Sequence, residues 1–210
     1  MHRYFIKTPW LVKKIFPSYV WSMPAGDHSL YLTFDDGPHP EITSWVLDEL
    51  KKYNAKASFF CIGKNVEQYP GIYQRILDEG HATGNHSYSH LNGWHTPDEK
   101  YIDDVATAAT IFRSSLFRPP YGRIRSGQAK KISGALGSAE TRIIMWDVLS
   151  GDFDTSFTRE ACFRNVADNA GAGSIIVFHD SEKAFHNLEF ALPATLLYFS
   201  KKGFGFRKID

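Results

Sequence analysis

Residues 29–38 read SLYLTFDDGP, and the rest of the predicted fold is organised around this stretch. Its apolar run, 29–34, predicts a buried β-strand that ends on two adjacent carboxylates, Asp35 and Asp36. Neighbouring side chains of a strand point to opposite faces, so both carboxylates can serve one site only where the strand bends. Gly37 and Pro38 predict that bend. A pair of turn or helix-capping aspartates is the alternative that this stretch alone leaves open.

Short apolar runs alternate with helical patterns along the rest of the chain. The predicted strands are 29–34, 57–62, 81–84, 116–118, 142–148, 174–178 and 203–209. The predicted helices include one opened by a capping box at 96–99, others starting near Ser126 and Thr158, and a last one around 193–201. This alternation predicts parallel strands with right-handed crossovers, in a closed or distorted barrel or in a doubly wound sheet. In either fold the active site gathers at the carboxyl ends of the strands.

Two histidines follow the predicted strand 81–84, in the stretch HSYSH at 86–90. Histidines at positions i and i+4, here His86 and His90, lie on one face of a helical turn, within reach of one divalent ion. One added carboxylate gives a 2-His-1-carboxylate set with open positions for water and substrate, which suits a hydrolytic metal site. A pair of surface histidines is the alternative interpretation.

Two further polar segments end predicted strands. RPPY, at 118–121, is stiff because each proline fixes its own φ and keeps the preceding residue extended. His179 and Asp180 follow the strand 174–178. Each segment alone is a weak signal, since a surface arginine or a capping aspartate explains it equally well.

Taken in order, TFDDGP, HSxxH, RPPY and a histidine after a late strand resemble the motifs of the polysaccharide deacetylases. These are the NodB-homology proteins of carbohydrate esterase family 4, and the resemblance runs from about Leu30 to the C-terminus. It implies an α/β fold, a distorted, incomplete (β/α) barrel with the active site at the C-terminal ends of the strands. The implied catalytic domain is 25–210, and 1–24 is a basic and apolar segment packed on it.

The same resemblance implies roles for individual residues. Asp35 resembles the general base, and Arg118 the arginine that orients this base. His179 resembles the general acid, and the backbone N–H of Tyr121 the oxyanion donor. The implied metal ligands are Asp36, His86 and His90, a set that zinc suits best by ligand type.

The implied reaction is metal-dependent hydrolysis of N-acetyl groups on N-acetylglucosamine-type units, releasing acetate. Removal of O-acetyl groups from a glycan such as xylan is one alternative, and a catalytically inactive carbohydrate-binding domain is another. The sequence leaves open whether the glycan is chitin, a chitooligosaccharide, peptidoglycan or an exopolysaccharide.

The chain departs from the family pattern after the strand 142–148. The resemblance implies an aspartate that tunes the acid histidine and, four residues later, a tryptophan that lines the groove. Leu149 and Phe153 occupy these positions. We expect a substitute carboxylate, and the candidates are Asp152, near the loop tip, and Asp147, which shares a face with 149 in a regular strand.

Composition narrows the class of protein further. A net charge of +1 over 210 residues gives no bulk attraction to nucleic acid. Cys61 and Cys162 match no metal-ligand spacing and are predicted as buried free thiols, with a disulfide left open.

Residues 1–21 are basic and apolar but lack the pattern of a signal peptide, which favours the cytoplasm. They predict a short helix between Thr8 and Pro17, packed on the domain or, as the alternative, in contact with a membrane surface.

Overall fold

The fold is a single curled parallel sheet surrounded by helices, in a computed structural model that describes residues 4–210. Its strands are β1 (Ser29–Asp35), β2 (Ser58–Cys61), β3 (Ala82–Asn85), β4 (Leu116–Phe117), β5 (Arg142–Ile143), β6 (Val148–Leu149), β7 (Ile175–His179) and β8 (Gly205–Phe206). They pair in parallel in the order β5-β4-β3-β2-β1-β7-β6, and β8 pairs with the start of β1.

Helices follow the strands as the alternation of the sequence predicts. They are α1 (Trp10–Ile15), α2 (Ile42–Lys51), α3 (Gly63–Gln68), α4 (Pro70–Asp78), α5 (Asp98–Ile111), α6 (Ser126–Ala129), α7 (Ile132–Leu136), α8 (Arg159–Ala167) and α9 (Glu182–Lys201). A short 3-10 turn, Pro120–Gly122, lies between β4 and α6.

Strand β1 shows how the two faces of the sheet are used. All its residues are buried, as expected of a central parallel strand with both faces covered. Leu32 and Phe34 pack in the large core cluster with residues of α2 and α9, whereas Tyr31 packs in a separate inner cluster with Phe60. Because side chains alternate along a strand, Asp35 lies on the same inner side as Tyr31.

The topology itself requires the sheet to curl into an incomplete barrel. Strands β5 and β6 form opposite edges of the seven-strand path, yet only residues 144–147 separate them in the chain. An extended chain reaches at most ~3.6 Å per residue, so these residues can join the edges only when the edges lie within about 20 Å of each other. The prediction of one strand over 142–148 is therefore wrong: the run crosses from one edge to the other.

Three other predicted details are also wrong. Helix α5 begins at Asp98, and Pro97 before it is extended and provides no side-chain cap, so the capping box does not form. Ser126 is the first residue of α6 rather than its cap. Helix α9 begins at Glu182 and contains Pro193, because its buried side chains continue on both sides of the proline.

The N-terminal segment forms the predicted short helix, but its apolar side chains divide into two groups. Val12 packs against a core cluster, whereas Leu11, Ile15 and Phe16 are 54%, 60% and 42% exposed. The domain boundary at residue 24 stays a prediction, as does contact with a membrane surface. Within 4–210, no helix combines the length and the apolar character needed to cross a bilayer.

The two cysteines behave as predicted. Cys61 lies in β2 and Cys162 in α8, and both are buried free thiols. Burial raises the pKa of each thiol, so neither is an activated nucleophile.

Candidate active site

The residues predicted to carry chemistry, except the buried Arg118, line one pocket of about 480 Å³ at the carboxyl ends of the strands. Asp35 comes from the end of β1 and His179 from the end of β7, as parallel strands require. The lining also contains Asp36, Asn65, His86, His90, Tyr121, Trp146, Leu149, Phe153 and Lys183. A larger cavity, about 600 Å³, lies between α5 and α7 and contains none of the predicted site residues.

A bend at the end of β1 brings both aspartates to this pocket. Asp36 has a φ of 83°, in the left-handed region, and this reverses the normal alternation of side chains. Asp35 Oδ2 and Asp36 Oδ1 consequently lie 4.0 and 3.8 Å from the same atom, His86 Nε2. The predicted bend is thus present, and its sharpest point is Asp36.

Gly37 is required by the close approach of Asp180 to this bend. The Gly37 N–H donates to Asp180 Oδ1 at 3.1 Å, and a Cβ on residue 37 would lie 2.1 Å from Asp180 Oδ2. Burial raises the pKa of Asp180 to about 7, although hydrogen bonds from Thr43 and Gly37 oppose that rise. The sequence analysis did not assign Asp180 to the site, because an aspartate after a strand is also typical of a turn.

His86 and His90 converge, but not on the helical turn that their spacing predicts. Residues 86–90 form an irregular loop in which Ser87 and His90 have φ values of 62° and 58°. The two rings lie 5.0 Å apart. The His86 Nδ1–H donates to the carbonyl oxygen of Arg118 at 2.7 Å, which leaves Nε2 with its lone pair toward Asp36.

Asp36, His86 and His90 fit a divalent cation. Their ligand atoms all lie within 4.8 Å of one another, and Asp36 Oδ1 is 3.2 Å from His90 Nε2. Asp36 Oδ1 is also buried without a hydrogen-bond partner, which is costly unless a cation compensates it. Burial lowers the pKa of His86 and lowers that of His90 to about 4, so both imidazoles are neutral and can coordinate metal.

Arg118 is fully buried beneath the pocket and binds Asp35. Its Nη1 donates to Asp35 Oδ1 at 2.6 Å and to Thr33 Oγ1 at 2.7 Å. Its remaining nitrogens donate to the carbonyl oxygens of Ile144 and Met145, so the guanidinium is held from several sides. Burial alone would raise the pKa of Asp35, but Arg118 above all lowers it below its usual value, so Asp35 is ionised.

Tyr121, the last residue of RPPY, lines the pocket from the 3-10 turn Pro120–Gly122. Its φ is 60°, the residue is 60% exposed, and its ring lies 4.5 Å from the ring of His90. The stiff segment therefore brings Tyr121 beside the cluster of candidate metal ligands.

His179 pairs with Asp152, one of the two candidate substitute carboxylates. His179 Nδ1 lies 2.8 Å from Asp152 Oδ1, and the His179 backbone N–H donates to Asp152 Oδ2 at 2.8 Å. Burial would lower the pKa of His179, but Asp152 outweighs it and raises the pKa to about 9. Leu149 and Phe153 line the pocket as apolar groups, and the Phe153 ring lies 4.9 Å from that of His179.

Asp147, the other candidate, binds elsewhere. It accepts from Lys7 at 2.6 Å, from Lys13 at 2.5 Å and from Ser174 at 2.5 Å. The assumption of a regular strand from 147 to 149 does not hold, because β6 begins only at Val148.

Tyr4 is a pocket residue that the sequence analysis missed. It reaches the pocket from the N-terminal segment, which pairs with the sheet edge at β6. No motif or periodicity in the sequence signals this, since the pairing depends on where the edge of the curled sheet lies.

Comparison with known proteins identifies the family. The polysaccharide deacetylase family profile matches residues 22–139, more than half of the chain. A peptidoglycan-N-acetylglucosamine deacetylase of Bacillus cereus is 34% identical over 191 residues, covering 89% of this chain and 88% of that protein. A chitooligosaccharide deacetylase of Azorhizobium caulinodans is 33% identical over 159 residues, covering 72% and 73%.

The fold agrees with the sequence comparison. A crystal structure of a peptidoglycan N-acetylglucosamine deacetylase in complex with 4-naphthalen-1-yl-N-oxidanyl-benzamide superposes with a TM-score of 0.84 at 32% identity, covering 96% of this chain and 95% of that one. The chain spans only 60% of the length of a second Bacillus cereus protein that carries the same name as the first. On the profile match, the identities and the shared incomplete barrel, this chain belongs to the polysaccharide deacetylase family.

Proposed function

We propose that this chain is a metal-dependent deacetylase that hydrolyses the N-acetyl group of N-acetylglucosamine-type units in a peptidoglycan or chitooligosaccharide type of glycan. The observation that carries this proposal is the arrangement of two different histidine–carboxylate groups around one pocket. Asp36, His86 and His90 offer donor atoms to a cation, and His179, held by Asp152, carries a proton.

The donor set defines what metal the site suits. Two neutral imidazoles and one carboxylate are ligands that zinc accepts readily, with positions left open for water and substrate. When bound there, a divalent ion polarises a carbonyl group and lowers the pKa of water.

Asp35 is the general base of the proposed mechanism. It is ionised, and Arg118 occupies its Oδ1, so Oδ2 is the atom directed to the pocket. In this role it takes a proton from the water that attacks the acetyl carbonyl carbon. Arg118 acts through Asp35, because it fixes the carboxylate orientation and keeps it charged.

The leaving nitrogen needs a proton, which His179 supplies. An amide nitrogen leaves poorly as an anion, so cleavage of the C–N bond requires an acid. Asp152 keeps His179 protonated at neutral pH, and transfer of that proton gives the free amine together with acetate. The backbone N–H of Tyr121 is the proposed donor to the oxygen that becomes negative during the attack.

An acid of this kind favours amide over ester hydrolysis. An alkoxide leaves more easily than an amide anion, so an O-acetyl esterase has less need of a protonated histidine. The buried Asp152–His179 pair therefore supports the N-acetyl substrate over acetylated xylan.

The test is acetate release by the full chain with zinc present, measured on N-acetylchitooligosaccharides, peptidoglycan and acetylated xylan. We expect release from the first two, loss of release with a chelator, and recovery when zinc is returned. Asp36→Ala serves as the matched inactive control. Release from xylan alone, or no release from any N-acetylated glycan by zinc-loaded protein, would overturn the proposal.

A further inference from the structure

An N-terminal arm, defined here as residues 4–8, adds an antiparallel segment to the edge of the sheet at β6. The Leu149 N–H donates to the Ile6 carbonyl at 2.8 Å, and the Thr8 N–H donates to the Asp147 carbonyl at 2.9 Å. Lys7 forms the bridge opposite Val148. These bonds fix the register of the arm on both sides of Lys7 and hold the chain two residues after Tyr4.

Tyr4, two residues before Ile6, lies in the wall of the candidate active site. Its ring is 5.3 Å from the ring of Phe153, and the Phe153 ring is 4.9 Å from that of His179. Its hydroxyl donates to Asp154 Oδ2. Burial and the bond to Asp154 raise the pKa of Tyr4, so the hydroxyl stays protonated.

We infer that Tyr4 is a substrate-contacting specificity residue whose ring extends the Phe153 wall to receive the apolar face of a pyranose ring. The inference rests on the proposed function. Phe153 offers a carbohydrate one apolar ring, and Tyr4 adds a second ring at the same wall. Tyr4 lies before residues 22–139, the part of the chain that the family profile matches.

The experiment compares Tyr4→Ala and Tyr4→Phe with Phe5→Ala in the zinc-loaded full chain, on N-acetylchitotetraose. Phe5 is the matched control, because it lies in the same arm, is 64% exposed and is absent from the pocket lining. We expect Tyr4→Ala to raise KM about tenfold while kcat stays within about threefold, since a lost binding contact acts on KM. Tyr4→Phe keeps the ring and should leave KM within about twofold of wild type. Phe5→Ala should leave both constants unchanged.

Two results would overturn the inference in a folded variant, checked by circular dichroism and thermal unfolding. One is an unchanged KM in Tyr4→Ala. The other is a fall in kcat, with KM constant, together with a shift in the alkaline limb of the pH profile of kcat. That result would mean that Tyr4 only positions the loop of Asp152 through Asp154. If wild-type protein releases no acetate, the proposed function fails, and calorimetric binding of the tetrasaccharide decides on Tyr4. A Kd about tenfold weaker in Tyr4→Ala supports the contact, and an equal Kd rejects it.

Discussion

Two groups of histidines and carboxylates face the same pocket, and they are built in opposite ways. In the first group, Asp36 Oδ1 is buried without a hydrogen bond, and the Nε2 atoms of His86 and His90 point toward it. In the second group, both oxygens of Asp152 are already used, one by the His179 ring and the other by its backbone N–H. One carboxylate has an unsatisfied oxygen, whereas both oxygens of the other are hydrogen-bonded, to His179 and to the backbone N–H of Phe153.

The difference in hydrogen bonding sets opposite protonation states. Burial lowers the pKa of His90 to about 4, because Asp36, which His90 shares with His86, does not offset the burial. At His179, Asp152 outweighs the burial and raises the pKa to about 9. At neutral pH the first group therefore presents lone pairs and the second holds a proton. The same residue types thus suit cation binding in one place and proton donation in the other.

The largest expected effect comes from removing a donor atom of the first group. Asp36→Ala should weaken zinc binding by more than about 100-fold and abolish acetate release, since a direct ligand is lost. Asp152→Asn should leave zinc binding unchanged, because Asp152 is outside the ligand cluster. Zinc titration by calorimetry measures both variants. Tight zinc binding by Asp36→Ala would remove the distinction between the two groups.

The next effect concerns Asp35, which lies between the two groups. Asp35→Asn should lower kcat about 10²–10⁴-fold, the usual contribution of a general base, with zinc affinity nearly intact. It should also lower the free energy of unfolding by about 3 kcal/mol, because Arg118 is fully buried and would lose its counter-charge. Turnover and urea unfolding of the same preparation test both parts. Full turnover in a folded, zinc-loaded variant would contradict the assignment of the base.

The sequence was sufficient to predict the end of the sheet where the chemistry lies. Parallel strands place their carboxyl ends together, so residues at strand ends, such as Asp35 and His179, could be grouped before any coordinates were known. Histidines four residues apart predicted that His86 and His90 converge, which the structure shows, but the predicted helical turn is wrong. The loop between them reaches the same convergence through left-handed residues, and a spacing rule cannot distinguish that from a helical turn.

The contacts that sequence reasoning left open or missed depend on the curl of the sheet. The chain crosses between edges at 144–147, so Asp147 and Leu149 do not share the face that a regular strand would give them. This is why Asp152 and not Asp147 contacts His179. Tyr4 was missed for a related reason, since its place depends on which strand forms the edge that the arm covers.

A smaller effect tests the second group through pH. The alkaline limb of kcat should lie near pH 9 in the wild type, because His179 must keep its proton to act as acid. Asp152→Asn removes the carboxylate that raises this pKa, so the limb should move toward about 6.5 or below, and turnover at pH 8 should fall roughly thirtyfold. Asp147→Asn is the matched control, with no expected shift. The alkaline limb should disappear in His179→Ala. A limb that stays in place in Asp152→Asn, or that persists in His179→Ala, would show that another group donates the proton.

The smallest effect concerns Asp147, the other candidate carboxylate, which forms ion pairs with two lysines instead of contacting His179. Its side chain is 6% exposed and pairs with Lys13 and Lys7, which are 26% and 44% exposed. Burial would raise the pKa of Asp147, but the two lysines and Ser174 lower it below its usual value. A carboxylate with a lowered folded-state pKa stabilises the protein above its unfolded-state pKa of about 3.9, and that stabilisation is lost as pH falls through the folded-state pKa.

Asp147→Asn should therefore reduce the free energy of unfolding by about 1 kcal/mol at pH 7, a modest value because Lys7 is partly solvated. The difference from wild type should shrink as pH falls below about 4, where the wild-type carboxylate also becomes protonated. Urea unfolding at a series of pH values measures this. A difference that grows toward low pH would contradict the expected direction of the pH dependence. A shifted alkaline limb in the pH profile of kcat would mean that Asp147 also influences His179, the proposed acid.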